Sequence, residues 1–498
     1  MFMKKTPFNN QKYLKIQREA ILERIGKFGD KLYLEFGGKL FDDYHASRVL
    51  PGFEPDSKLQ MLLGIKDRAE IVIVVNASDI SSNKVRNDTL ITYQEEVERL
   101  IDTYREVGLL VSSVVVSFYE SNIVVDKFIT KLQNNGINVY KHYKINGYPH
   151  NIPLIVSEEG LGKNEYIVTT KPLVVVTAPG PGSGKMATCL SQLYHENKNG
   201  IRAGYAKYET FPVWNLPLNH PVNLAYEAAT VDLADVNMID PYHLEKYGLT
   251  VVNYNRDIEV FPLLKNIFEH IYGESPYFSP TDMGVNKVGF AIDDDAKVRD
   301  ASNQEIVRRY YQTKKNVYLG RFSENTVDKM DMLLNKAGLS LDSRKCVAAA
   351  LKKAEKTGEP TVAIELPNGK LMTGHRGELL GACAALLIKT MKYLAKIDED
   401  MYLLMPVMIE PMKELKMKYL HRSNTRLRAE EVLLALSIQS KTNPLAELAL
   451  NQLPKLKNCE AHSSTILSEV DLGTLNRLGI RVTEEPTSYK KKLYTKNQ

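Results

Sequence analysis

The sequence predicts an α/β protein: a mostly parallel sheet with a P-loop-like strand–turn–helix, a helical middle domain and a smaller C-terminal α/β domain. Three observations predict it. Short continuous apolar runs alternate with amphipathic segments of helical length through the first half of the chain. A glycine-rich turn joins one of these runs to a further helix, and an Asn-Gly hairpin signal restarts strand patterning after a helical stretch. The expected domains are residues 1–274, 275–358 and 359–498.

Leu32 to Phe36 reads as a strand entering Gly37-Gly38-Lys39, and Ile71 to Val75 as a second, ending in Asn76-Ala77-Ser78-Asp79. A charged amphipathic segment, Tyr93 to Val107, precedes the apolar run Leu109 to Phe118. A helix from about Asn122 to Gln133, the turn Asn134-Asn135-Gly136 and a strand near Ile137 to Tyr140 follow. Strands separated by helices of this length pair in parallel and are covered on both faces. The apolar run at Leu173 joins them; its helix stops at Asn199-Gly200, a C-cap signal, before a strand at Ala203 to Lys207.

Thr210 to Asn255 is rich in Pro, Asn, Asp and Tyr and holds the only tryptophan, Trp214. So long a stretch is either packed structure with its own helices or a binding loop. Leu249 to Tyr254 reads as a strand, followed by Asn255-Arg256-Asp257 and a helix from about Ile258 to Ile271. After the turn-like Ser279 to Asn286, Val288 to Ile292 is strand-like. Asp293-Asp294-Asp295 lacks the glycine and glutamate of a calcium loop and reads as a solvated helix start. Helices are expected at Asn303 to Thr313, Thr326 to Ala337 and Asp342 to Thr357.

The last third opens with a hairpin, Pro360 to Leu366 and Leu371 to Thr373, around Pro367-Asn368-Gly369-Lys370. A long helix, Glu378 to Ile397, precedes further helices near Pro411 to Tyr419, Ala429 to Gln439 and Leu445 to Gln452. Ala461 to Leu467 reads as a strand, then a helix and a strand at Ile480 to Glu484. His375-Arg376 and His462-Ser463-Ser464-Thr465 are polar clusters whose ordinary reading is surface.

Composition narrows the partners. With 498 residues the chain is long enough for about three domains, and 44% hydrophobic with 25% charged residues is the balance of a globular protein. The longest apolar stretches are too short to cross a bilayer, and the N-terminal residues lack the apolar segment of a secretion signal, so the expectation is cytoplasmic with no membrane partner. Cys189, Cys346, Cys383 and Cys459 are scattered with no CxxC pair, which suggests neither a disulfide framework nor a thiolate zinc site. A net charge of +5, from 65 basic and 60 acidic residues, gives no concentrated basic face, so nucleic acid is not an expected partner. Lys490-Lys491-Lys492 reads as a solvated tail. No repeat or apolar seam fixes a symmetry, and a homo-oligomer stays open.

One segment carries chemistry: Val174-Val175-Val176-Thr177-Ala178-Pro179-Gly180-Pro181-Gly182-Ser183-Gly184-Lys185-Met186-Ala187-Thr188. A glycine turn at a helix start, followed by lysine, offers an anion backbone N–H groups and a positive charge. Gly180, Gly182, Ser183, Gly184 and Lys185 are the expected phosphate-binding residues. The match to the P-loop pattern is degenerate. Pro179 stands where the first glycine belongs, and Met186, where Ser or Thr belongs, has no oxygen for a magnesium ion. Thr188 lies about 200° around the helix from Met186, which leaves Thr177 or Ser183 as sources of oxygen.

A second group collects after the first strand: Gly38, Lys39, Asp43, His45 and Arg48, where another glycine–lysine turn faces the same cleft if both turns end parallel strands. Arg256 and Asp257, just beyond an expected strand, are candidates to meet what Lys185 holds. The implied ligand is a small phosphorylated molecule, a nucleotide with magnesium or a phosphometabolite. Two function classes follow: a phosphotransferase or nucleotide-dependent ligase with Asp43, His45 or Asp257 as base, or a non-catalytic metabolite-binding or scaffold protein in which the glycine-rich turn is structural. No residue is assigned to metal binding, and no catalytic set is fixed.

Three stretches, Phe36 to Phe53, Ala178 to Lys185 and Ile364-Glu365-Leu366-Pro367-Asn368-Gly369, resemble uncharacterised bacterial protein family 0371, which carries a conserved domain of unknown function. The likeness covers nearly the whole chain. It implies α/β domains at both ends of a helical middle part and brings no established activity. It also implies a C-terminal domain similar in topology to the cytidine-deaminase-like sandwich. The chemistry of that fold does not carry over, because the chain has no His-x-Glu with a Pro-Cys-x-x-Cys partner.

Overall fold

A computed structural model describes residues 6–38, 40–41, 43–86, 91–233 and 235–488. Lys39, of the candidate cleft group, and the tail lysines Lys490, Lys491 and Lys492 lie outside the described residues. The chain forms two compact units, Met1–Ser302 and Asn303–Gln498. Within 275–358, a short strand at Gly284–Val285 belongs to the sheet of the first unit, and the helix Lys345–Thr357 covers the sheet of the second.

Strands of the first unit, in chain order, are β1 (Leu32–Phe36), β2 (Ala69–Asn76), β3 (Leu110–Ser117), β4 (Asn138–Lys141), β5 (Leu173–Thr177), β6 (Gly204–Tyr208), β7 (Asn237–Ile239), β8 (Val252–Tyr254) and β9 (Gly284–Val285). Among the described residues, seven form one sheet in the order β4-β3-β2-β5-β1-β6-β9, every pair parallel. Burial follows composition. β2 and β5 are near-continuous Val and Ile runs with both faces covered, as a parallel sheet between helix layers requires. On one face the Tyr13 hydroxyl of the helix Asn10–Lys27 meets that of Tyr208 at 2.7 Å. On the other, Tyr33 donates to Glu196 of the helix Lys185–Lys198 at 2.6 Å.

The strand order creates a crevice. β2 and β5 are neighbours, yet β2 is followed by β3 toward one edge and β5 by β6 toward the other. Their C-terminal loops diverge, and such switch points are where open α/β sheets bind ligands.

Two strand expectations are corrected. Val288–Ala291 is a 3-10 turn, because the Asn286 side chain accepts from the Val288 N–H at 3.0 Å and curls the backbone. Leu249 to Tyr254 shortens to β8, which pairs antiparallel with β7 in a separate two-stranded sheet, while β9 takes the place beside β6. Thr210 to Asn255 is packed structure with the helices Pro221–Ala229 and Pro241–Tyr247, and the Trp214 indole donates to the Asn286 carbonyl at 2.8 Å.

The second unit holds β10 (Thr361–Glu365), β11 (Leu371–His375), β12 (Glu460–Ser463) and β13 (Arg481–Glu484) in the order β11-β10-β12-β13. β10 and β11 form the expected hairpin, closed by Leu366 N–H to Lys370 carbonyl at 2.9 Å with Gly369 at φ +77°. β10 and β12 are antiparallel, β12 and β13 parallel. Val362 and Ile364 face a core with the helices Ala382–Ala395, Ala429–Gln439, Pro444–Leu450 and Glu469–Arg477. Ala363 faces the opposite way, onto Cys346 and Ala350 of Lys345–Thr357. Fully buried Arg344 donates to Thr483, Glu460 and two backbone carbonyls, which satisfies its guanidinium without leaving it available. Among the described residues no helix is long and apolar enough to cross a membrane, and no group of three or more His, Cys, Asp or Glu is placed to hold a metal.

Candidate functional site

The glycine turn stands at the crevice. β5 ends at Thr177, and the helix Lys185–Lys198 begins with Gly184 as N-cap at φ +89°, a left-handed conformation that favours glycine. The helix start carries no side-chain cap, so its first N–H groups are left to water or a ligand. Neighbouring strands hold the turn in place. Ser117 of β3 donates to the Ser183 carbonyl at 2.6 Å, and Asn76 of β2 reaches the Gly182 carbonyl at 3.4 Å. Arg86 donates to the Pro179 carbonyl and pairs with Glu96 at 3.0 Å. Tyr93 lies against Gly180 so closely that a Cβ there would run into its ring.

Beside the turn is a cleft of about 470 Å³, lined from three loops and one helix of the first unit. Gly38, Leu40 and Phe41 come from the loop after β1, Lys84, Val85 and Arg86 from the chain after β2, and Thr177 to Pro181 with Lys185 from β5. Tyr93, Glu96, Arg99, Leu100 and Tyr104 come from the helix Tyr93–Glu106. Most cations in this wall have carboxylate partners: Lys84 pairs with Asp79 at 2.9 Å, and Arg86 and Arg99 both pair with buried Glu96. Lys185 has no ion pair among the described residues.

The cleft brings Gly38 together with Gly180 and Lys185; Gly182, Ser183 and Gly184 are not in its lining. The Ser183 hydroxyl is buried, with no hydrogen-bond partner among the described residues. Thr188 points back to His142, at 3.4 Å, as its position around the helix required.

Asp43, His45, Arg48, Arg256 and Asp257 do not line the cleft. Asp43 caps the helix Tyr44–Val49 by accepting from Ala46 N–H at 3.1 Å and pairs with buried Lys58 at 2.9 Å. Burial opposes the charge, but Lys58 prevails and holds the Asp43 carboxyl below its ordinary range. His45 packs edge-on to Phe211, 5.1 Å between ring centres. Arg48 is half-buried in the same helix. Arg256 pairs with Asp235 at 2.6 Å. Asp257 binds Lys207 of β6.

Lys207 centres a cluster that the sequence did not disclose. Its ammonium contacts Asp257, the Tyr254 hydroxyl at 2.8 Å and Glu209 at 3.5 Å. On the same face of the sheet, Tyr205 donates to Glu35 at 2.7 Å. Burial works against the Lys207 charge, but Asp257 with its neighbours holds it well above the ordinary range. Burial, opposed by Lys207 and reinforced by the Asp257 carboxylate, pushes Glu209 up to about 8. The only sequence signal was the alternation of Glu35 with Tyr33 and of Tyr205 with Lys207 inside apolar strands, which marks polar groups forced to find partners in a core.

In the second unit, His462 is fully buried, with its Nδ1 at 2.8 Å from the Thr483 hydroxyl. Arg376 pairs with Glu359 at 3.2 Å.

Comparison with known proteins also divides the chain in two, at a later boundary than that between the compact units. Residues 6–338 match the N-terminal domain of unknown function DUF1846, and residues 342–494 match its C-terminal domain. A UPF0371 protein of Streptococcus thermophilus is 54% identical over 99% of this chain and 100% of its own length. UPF0371 proteins of Streptococcus uberis and Streptococcus pyogenes serotype M18 are each 53% identical with the same coverage.

Proposed function

We propose that this chain, which belongs to the bacterial UPF0371 family of DUF1846 proteins, binds a small phosphate-bearing molecule at the turn between β5 and the helix Lys185–Lys198. One observation carries the reading: an uncapped helix start, with Lys185 at its first position and without an ion pair among the described residues, adjoins a cleft at the switch point of a parallel sheet. A helix N-terminus of this kind attracts an anion through its free N–H groups and its dipole, and the ammonium adds a formal charge. A cytoplasmic setting, where nucleotides and sugar phosphates are at hand, goes with it.

Two chemistries use such a site. Phosphoryl transfer or nucleotide-dependent ligation needs an oxygen to hold magnesium beside the phosphates. Met186 supplies none, Thr188 faces His142 and the Ser183 hydroxyl is buried; Thr177, the remaining source of oxygen, borders the cleft but is itself almost wholly buried, which favours binding without turnover. The test is the melting temperature of purified protein against nucleotides, sugar phosphates and inorganic phosphate, with and without magnesium. A ligand that binds only the native state must raise it. The expected result is a rise with one phosphate-bearing class that is lost in Lys185→Ala; no rise with any member of the panel contradicts the proposal. Product release assayed on the stabilising ligand decides between turnover and binding.

A further inference from the structure

We infer that the cleft takes a nucleoside phosphate, with the phosphate at the glycine turn and Lys185 and the base against Phe41. The inference rests on the phosphate reading above and selects one class of phosphate-bearing ligand. The lining falls into two chemical kinds. Gly180 and Lys185 supply the anion-binding part, while Leu40, Phe41, Leu100 and Tyr104 supply an apolar, aromatic part. Leu40, Leu100 and Tyr104 are buried; Phe41 is only partly covered. Tyr104 stacks on Phe41, with ring centres 5.3 Å apart and planes inclined by 26°, and so fixes the orientation of the Phe41 ring. Phe41 therefore presents a held, partly open aromatic surface to the cleft.

Size and charge agree. About 470 Å³ lies within the roughly 300–1,000 Å³ of small-molecule sites and far exceeds the needs of inorganic phosphate. A polyphosphorylated sugar would need several uncommitted cations, whereas Lys84, Arg86 and Arg99 already bind carboxylates. A sugar phosphate would satisfy Lys185 and leave the aromatic wall against water. A base stacked on Phe41 uses both parts of the lining, and stacking of this kind tolerates any base because each has a π-face.

The test is calorimetric titration of AMP, GMP, CMP and UMP, of ribose 5-phosphate and of inorganic phosphate into wild type, Lys185→Ala, Phe41→Ala and Phe41→Leu. Phe41→Leu keeps an apolar side chain against Tyr104 and guards against a variant that fails to fold. At least one nucleoside monophosphate is expected to bind about tenfold or more tighter than ribose 5-phosphate. Both Phe41 variants are expected to erase that preference and leave ribose 5-phosphate binding unchanged. If ribose 5-phosphate and all four nucleotides bind wild type equally, and all are lost in Lys185→Ala, the base site is overturned and the phosphate reading stands. A preference that persists in Phe41→Leu also overturns it. If nothing binds wild type, both fall.

Discussion

Beyond β5, a lysine stands at an uncapped helix start with no ion pair among the described residues; within β6, near its C-terminal end, another lysine is enclosed by Asp257, Tyr254 and Glu209. Both lie at the same end of one parallel sheet. The difference lies in what each ammonium has left to offer. Lys207 is buried and its hydrogen-bonding capacity is taken by three neighbours, so its loss strands a buried carboxylate. Lys185 is half-exposed, has no ion pair among the described residues to lose, and sits at a helix start that no side chain among them caps. A buried pair makes the fold depend on both partners, whereas unspent capacity beside a cleft is what a ligand uses.

The largest expected effect tests the structural half of this contrast. Lys207→Met leaves the buried Asp257 carboxyl without its partner and is expected to cost about 3–5 kcal/mol, read from urea denaturation. A loss no larger than that of an exposed lysine would show that the cluster does not hold the fold. Gly180→Ala comes next. Its Cβ cannot fit against Tyr93 without displacing the ring or the turn, and a cost of about 1–3 kcal/mol is expected together with weakened ligand-induced stabilisation.

A pH series sharpens the same comparison. The Glu209 carboxyl lies at about 8 in the folded chain, above its ordinary 4.5, so the folded state holds this proton more tightly than the unfolded state. Its contribution is fully present below about 4.5 and is lost as pH rises through about 8. Glu209→Gln is expected to flatten the fall in melting temperature over that window, and an unchanged profile would contradict the assignment. The smallest effect belongs to Lys185→Ala, expected to change stability by less than about 0.5 kcal/mol without ligand. A larger loss would move Lys185 from the ligand-binding to the structural side of the contrast.

The two regions also differ in how far the sequence disclosed them. The turn was legible because its chemistry is local: an apolar strand, glycines at Gly180, Gly182 and Gly184, and Lys185 are contiguous. The central strands were legible for the same reason, since a parallel strand buried on both faces is written as an unbroken Val and Ile run. The Lys207 cluster joins Glu35, Lys207, Glu209, Tyr254 and Asp257, which come together only when β6 settles beside β1 and the helix Asn255–Tyr272 packs nearby. Leu249 to Tyr254 shows the limit from the other side. Its apolar character announced a strand, but its partner was the three-residue β7, too short to carry a pattern, and that choice moved Arg256 and Asp257 away from the cleft. Val288 to Ile292 failed because one side-chain acceptor, Asn286, outweighed β propensity over so short a run.

The central claim is that the glycine turn, and not the lysine cluster, receives the phosphate. Titration of pyrophosphate into protein labelled with ¹⁵N only at glycine follows both regions at once, since Gly284 lies beside Glu209. The account predicts saturable shifts of the Gly180, Gly182 and Gly184 amides that vanish in Lys185→Ala, with Gly284 still. Shifts at Gly284 without shifts in the turn, or no shifts at all, would contradict it.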